Sequence, residues 1–352
     1  MAPAPRPRPL RKDYVAAAFK PAKPTVFSES ARPSSLAPNI RSVSWSPTGS
    51  LIAQSTSVNI RVWNAERPDV KASSEMKDGA RGTAHSMAVE KVAFNPRREA
   101  LLASTGLDGM VKLWDVRAPG GAVGGMRGST TVKSAEHKVG GQGLFLTWHP
   151  AGTELLVGRQ DDVVTALDVR KMDTALLELH PTDRSPLKDR GSFNMMAFSN
   201  SGREVFATTG DGPVKVLDYP TMQPIYTLAA HTSNTYAVQH SPAGNYVAVG
   251  ASDSLISLWD TNTWMCTHVL SHHTSAVRDL SFSFDGSYLV AGCGADRDGD
   301  KGLDIYHVDT GESVHTIETV NAVSWVAWHP LKYAIAYGGD PGGLKIAGVF
   351  KD

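Results

Sequence analysis

The segment from Asp296 to Asp304, DRDGDKGLD, places Asp296, Asp298 and Asp300 at alternate positions, the spacing by which a calcium loop presents oxygen ligands. Such a loop needs glycine at its sixth position and glutamate at its twelfth, and this chain has Lys301 and His307 there. The run therefore reads as a solvated hairpin with Asp300 as a turn acid. Gly294 and Gly299 have the spacing of a phosphate-binding loop, but Asp300 follows where lysine is required and reverses the charge a phosphate needs. The adjacent His272 and His273 need further ligands from elsewhere to hold a metal. His273 instead lies nine residues before Phe282, as His85 lies before Phe94 and His231 before His240. No Gly-x-Ser-x-Gly nucleophile elbow occurs. These residues assign no catalytic centre, no cofactor and no metal.

The spacing of those histidines belongs to a larger pattern. Seven segments open on an aromatic residue or histidine, at Trp45, Phe94, Trp148, Phe198, His240, Phe282 and Trp328, with a mean period of about 47 residues. After each of these residues comes a turn carrying Pro, Gly or both, of the Ser/Asn-Pro-x-Gly type, then an apolar run, in most copies a turn containing Asp, and an alternating run ending in Trp-Asp or its equivalent, as in STGLDGMVKLWD from Ser104 to Asp115. That grammar gives three strands per copy, and linking segments such as PIYTLAAH (Pro224 to His231) supply a fourth. Short alternating strands repeated in this way predict an all-β protein, a seven-bladed β-propeller whose four-stranded blades bury both faces against their neighbours.

The chain resembles the WD-repeat family on these motifs. The family joins a His, a Ser or Thr, an Asp and a Trp by hydrogen bonds, with the Asp six residues before the Trp. The resemblance carries those positions to His85, Ser104 or Thr105, Asp108 and Trp114 in the second copy, and to His231, Asp253 and Trp259 in the fifth, where Gly250 and Ala251 replace the hydroxyl. Leu167, Leu217, Tyr306 and Ala347 stand at the Trp position of the third, fourth, sixth and seventh copies, while Asp161, Asp211 and Asp300 keep the acid and His273 the histidine. Packing rather than polar bonding is expected to hold those blades.

The last copy ends at Phe350 without sequence for a fourth strand, so an N-terminal segment must close the ring. The candidates are Tyr14–Phe19 and Pro24–Ser30. Residues 1–23 read as a basic, proline-rich tail and residues 24–352 as the propeller. The whole chain has no formal net charge, yet the tail carries Arg6, Arg8, Arg11, Lys12, Lys20 and Lys23 against the single acid Asp13. Arg6, Arg8, Arg11 and Lys12 are candidates for weak contact with RNA or an acidic partner. Cys266 and Cys293 are too few for a disulfide framework and read as core thiols of a reducing compartment. No signal-peptide core and no run of about 18 apolar residues occurs, which predicts a soluble intracellular protein without a membrane partner.

Within the family, DDVVTALDV (Asp161 to Val169), VKVLDYPTMQPIYTLAAHTSN (Val214 to Asn234), ASDSLISLWD (Ala251 to Asp260) and AVRDLSFSFDGSYL (Ala276 to Leu289) are similar to the WD-repeat subunits of THO complexes. This resemblance implies a nuclear, non-enzymatic scaffold that couples transcription to messenger-RNA packaging and export. Its partners would be the other THO complex subunits and, through them, an RNA helicase and export adaptors, with no small-molecule substrate. A substrate receptor or modified-peptide reader in another nuclear complex, and an enzyme using the channel mouth, remain open on the residues alone.

Overall fold

The computed structural model describes residues 12–19, 23–27, 40–67, 73–78, 82–116, 130–180, 192–294 and 300–348. Among them are one helix and twenty-eight strands. Helix α1 is Lys12–Phe19 and β1 is Thr25–Phe27. Blade 1 is β2 to β5 (Ile40–Trp45, Leu51–Thr56, Asn59–Asn64, Ser74–Lys77) and blade 2 is β6 to β9 (Val89–Phe94, Leu101–Gly106, Met110–Asp115, Thr130–Lys138). Blade 3 is β10 to β13 (Gly143–Trp148, Glu154–Arg159, Val164–Asp168, Ala175–Leu179). Blade 4 is β14 to β17 (Phe193–Phe198, Glu204–Thr209, Val214–Asp218, Pro224–Leu228) and blade 5 is β18 to β21 (Thr235–His240, Tyr246–Ala251, Ile256–Asp260, Cys266–Leu270). Blade 6 is β22 to β25 (Val277–Phe282, Tyr288–Cys293, Gly302–His307, Ser313–Glu318). Blade 7 is β26 to β28 (Trp325–Trp328, Ala334–Gly338, Leu344–Gly348) together with β1.

The burial of each strand follows from its place in the blade. Second strands are covered on both faces by neighbouring blades and read as continuous apolar runs; Tyr288–Cys293 is buried at every position. Outer strands meet solvent, and Ala175–Leu179 alternates between partly buried and exposed. In the first six blades the register slips by one residue at the start of the innermost strand, as between Val89 and Lys91, a bulge that sharpens its twist toward the axis. The innermost strands pack side by side in sequence and β26 packs against β2, so the ring is closed. The fold is therefore the seven-bladed all-β propeller that the repeat predicts.

Side chains of one inner strand accept backbone N–H groups of the next. Ser44 Oγ accepts from Phe94 N at 3.0 Å, Gln239 Oε1 from Phe282 N at 2.8 Å, and Ser281 Oγ from Trp328 N at 2.9 Å. The glycine turns that follow the innermost strands add a steric fit between blades. Gly202 has φ +75°, and a Cβ there would sit 2.2 Å from His149 Nε2 of the preceding blade. Only glycine satisfies both the left-handed backbone and that approach.

The closing strand is Thr25–Phe27, antiparallel to β28 with Phe27 opposite Leu344. Tyr14–Phe19, the other candidate, is not a strand but the body of α1. Val15 and Phe19 of that helix are buried, and Phe19 meets Trp328 edge-on at 5.7 Å. Consecutive alanines favour helix over strand, and this decides the conformation. Thus part of the segment read as a tail is docked on the ring, while residues 1–11 lie outside the described residues.

Blades 1 and 2 are joined more intimately than the others. Strand β5 pairs in parallel with β9, Glu75 opposite Thr130 and Lys77 opposite Val132, making one eight-stranded sheet. Lys112, 1% exposed, reaches into this junction and donates to Asp78 at 2.7 Å and to the Ala84 carbonyl at 2.8 Å. Lys133 binds the same carboxylate at 2.9 Å.

Candidate functional site: the blade networks and the central channel

In blade 2 the four expected residues form a continuous chain. Trp114 Nε1 donates to Ser104 Oγ at 2.9 Å, and the Ser104 hydroxyl lies 2.7 Å from His85 Nε2. His85 Nδ1 lies 2.9 and 3.0 Å from the two carboxylate oxygens of Asp108. The carboxylate also accepts the backbone N–H groups of Ser86 at 3.0 Å and Met110 at 3.2 Å. With Nδ1 protonated toward Asp108, Nε2 accepts from the serine, and every polar atom of the buried chain is satisfied. Thr105, the alternative hydroxyl, bonds the Met110 carbonyl instead.

Burial works to raise the Asp108 pKa, but the His85 contacts and the two backbone donors outweigh it and bring it to about 2. A carboxylate held below its unfolded value stabilises the fold above that value, and the contribution disappears as pH falls through the folded pKa. Acidification from pH 4 to pH 2 is therefore expected to remove about 2 kcal/mol through this group. Urea unfolding at the two pH values checks it, and Asp108→Asn should flatten that part of the slope.

Blade 5 rebuilds the chain differently. Val249, not Gly250, holds the register of Ser104, each pairing with the fourth residue of the innermost strand. The hydroxyl comes from the third strand: Trp259 Nε1 donates to Ser257 Oγ at 2.9 Å, Ser257 Oγ lies 3.0 Å from His231 Nε2, and His231 Nδ1 lies 2.9 Å from Asp253. Ser257 was invisible to a search along the second strand; its signal is a serine two residues before the Trp, on the same face.

In blade 6 Tyr306 fills the Trp position and its own hydroxyl contacts His273 Nε2 at 3.1 Å, so polar bonding joins packing there. Asp300 accepts the Thr274 N–H at 2.8 Å and the Thr274 hydroxyl. In blade 3 Asp161 does not enter a buried network: its side chain is 54% exposed and pairs with Arg159, which also donates to the Val139 carbonyl at 2.7 Å. Val139 stands where the histidine would be, leaving Asp161 no imidazole to pair with. Asp211 is exposed, and Leu167, Leu217 and Ala347 are buried. Blade 7 has an acid the pattern missed, Asp340, 2% exposed, which accepts Val320 N and Asn321 N and pairs with Lys345 at 2.7 Å.

Two further expectations change. Lys12 bonds Thr310 Oγ1 at 3.0 Å and pairs with Glu312, which docks this end of the expected basic contact on blade 6. Arg6, Arg8 and Arg11, like Asp296 and Asp298, lie outside the described residues. Cys293 is buried, but Cys266 is exposed on β21 because outer strands face solvent.

The innermost strands of all seven blades surround a cavity of about 630 Å³. Its ionisable lining is Lys91, Arg97, His240 and Asp279. Lys91 Nζ sits 5.6 Å from the Trp325 ring centroid. Asp279 accepts the N–H groups of Val326 at 3.2 Å and Leu280 at 3.1 Å, and burial pushes its pKa up against the pull of Lys91.

The family model "WD domain, G-beta repeat" matches residues 80–115, 222–260 and 264–299, within blades 2, 4, 5 and 6 and their connections. The chain is 34% identical to THO complex subunit 3 of Arabidopsis thaliana over 316 residues, covering 89% of this chain and 91% of that protein. It is 27% identical to the WD repeat-containing protein AAC3 of Dictyostelium discoideum over 84% of this chain and 60% of the relative. It is 26% identical to cell division cycle 20.1, cofactor of APC complex, of Arabidopsis thaliana, over 63% of this chain and 46% of that relative. On a closed seven-bladed ring and a likeness spanning nearly both full lengths, this chain belongs to the WD-repeat family of THO complex subunit 3.

Proposed function

We propose that this propeller is a non-catalytic scaffold subunit of a nuclear THO/TREX assembly, where it couples transcription to messenger-RNA packaging and export. The observation that carries the reading is the likeness to THO complex subunit 3, which runs through the whole ring rather than through isolated repeats. The blade chemistry supports it: the His–Asp and Trp–Ser groups of blades 2 and 5 are engaged with each other, which leaves the outer surfaces for docking. A contact of roughly 800 Å² per partner fits on one face or on the rim. The rim of blades 4 and 5 exposes Ile225, Tyr226, Met265 and Val269, with Tyr226 stacked on Trp264 at 5.9 Å.

Affinity purification of the tagged chain with crosslinking mass spectrometry tests the reading. Other THO subunits should be recovered, with an RNA helicase and export adaptors at lower yield. The likeness to a cell division cycle 20 protein favours one competing reading, a substrate receptor of another nuclear complex. Recovery of ligase or anaphase-promoting components without THO subunits would establish it instead. Direct RNA contact falls to Arg6, Arg8 and Arg11; equal affinity for single-stranded RNA with and without residues 1–12 removes RNA from the partners.

A further inference from the structure

Blade 6 differs from blades 2 and 5 at one contact. In those two blades the histidine Nδ1 is 2.9 Å from the turn aspartate. In blade 6 His273 Nδ1 is 3.6 Å from Asp300 Oδ2 and 3.9 Å from Asp304 Oδ2, both outside hydrogen-bond range. The His273 side chain is 1% exposed, and its Nδ1 has no hydrogen-bond partner. A buried nitrogen left in this state is costly unless something else satisfies it.

Cys293 fills the widened gap. It pairs with Val277 at the register where blade 2 has Gly106 and blade 5 has Ala251. A Cβ built on Gly106 would lie 3.3 Å from His85 Nδ1 and 3.4 Å from Asp108 Oδ1, so a side chain at this register points into the His–Asp contact. A ring nitrogen of His273, the Cys293 sulfur and an Asp300 oxygen all lie within 4.8 Å of one another. Donor atoms around tetrahedral zinc stand about 3.3–3.8 Å apart, given its bond lengths, so an ion needs to draw these three in by at most about 1.0–1.5 Å. A nitrogen, sulfur and oxygen set suits a borderline-soft cation and not calcium or magnesium, which take oxygen alone.

We propose that His273, Cys293 and Asp300 bind one zinc ion in blade 6, with Asp304, whose Oδ2 lies 3.9 Å from His273 Nδ1, as a fourth donor. The ion ties the segment entering blade 6 to its second strand and to Asp300 ahead of β24. Zinc takes cysteine as the thiolate, so binding releases the thiol proton as the sulfur–zinc bond forms. The proposal is independent of the THO reading.

The test uses the metal-stripped full chain, titrated with Zn²⁺ by calorimetry in two buffers of different ionisation enthalpy and with Co²⁺ by absorption. One equivalent per chain, release of about one proton and a near-ultraviolet thiolate-to-cobalt charge-transfer band are expected. Cys293→Ala, which carries the side chain blade 5 has at this register, should fold, lose the band and bind zinc at least about 100-fold more weakly. Cys293→Ser keeps the side-chain shape and should lose the band too, which separates loss of the ligand from loss of the fold. Cys266→Ala should change neither readout. No binding by the wild type, full binding by Cys293→Ala, or loss of the band on Cys266→Ala would overturn the site.

Discussion

Phe27→Ala is expected to lower the unfolding free energy by about 3–5 kcal/mol, as deletion of a buried ring in a core that cannot collapse onto the cavity does. Phe27 is 3% exposed and belongs to a cluster drawn from two blades: Ile40, Ile52 and Trp63 from blade 1, Leu344 and Ile346 from blade 7. Its ring meets Trp63 edge-on at 5.9 Å. One side chain on a three-residue strand thus fills the seam where the ends of the polypeptide meet. Val26, on the same strand but 41% exposed, is the control, and Val26→Ala should cost less than about 1 kcal/mol. Removing residues 1–36 altogether is expected to lower the melting temperature by several degrees and to bare the backbone of β28, an edge that invites association between molecules. Urea titrations of the two variants and light scattering of the truncation measure these effects. Equal stability of Phe27→Ala and the wild type would mean that the seam holds without β1.

The second large effect is at Trp114, where alanine is expected to cost about 3–5 kcal/mol. The ring is 0% exposed and its N–H begins the polar chain through Ser104 and His85 to Asp108. Phenylalanine at two tryptophans separates packing from hydrogen bonding. Trp63 is 2% exposed, but its Nε1 is buried without a hydrogen-bond partner. Trp63→Phe and Trp114→Phe delete the same atoms, yet only the second breaks a bond. Trp114→Phe should therefore be worse by about 1–3 kcal/mol, the net worth of a buried hydrogen bond and the cost of leaving its partner short. Equal losses at the two positions would show that blade 2 is held by volume alone.

The ring was legible in the sequence because its marks are local. An aromatic residue before a turn carrying Pro or Gly, and an acid six residues before a tryptophan, are set by strand lengths and turn chemistry inside one blade, so seven copies can be counted without knowing how they meet. The chain through His85, Ser104, Asp108 and Trp114 could be read for the same reason. What escaped was set by space rather than by spacing. The pocket beside His231 touches both the second and third strands, so Ser257 serves as well as a residue at the position of Ser104. Tyr306 combines the ring of a tryptophan with the hydroxyl of a serine, which no alignment of single positions expresses. Asp161 keeps its place in the turn but not its role, because Val139 removes the imidazole and Arg159 takes up the charge. The helix at Tyr14–Phe19 was ambiguous, since six apolar residues without polar punctuation suit either a buried strand or a helix.

The parallel pairing of β5 with β9 sets where this molecule can loosen. Among the described residues this is the one joint where two blades share a sheet, the ladder of amides and carbonyls running unbroken from one into the next, whereas the other blades meet mainly through side chains. To part these two, the protein must rupture main-chain bonds and the Asp78 ion pairs together. Fluctuations of the circle are thereby directed to the remaining six joints, and a partner spanning the welded pair meets a surface whose shape is fixed before contact.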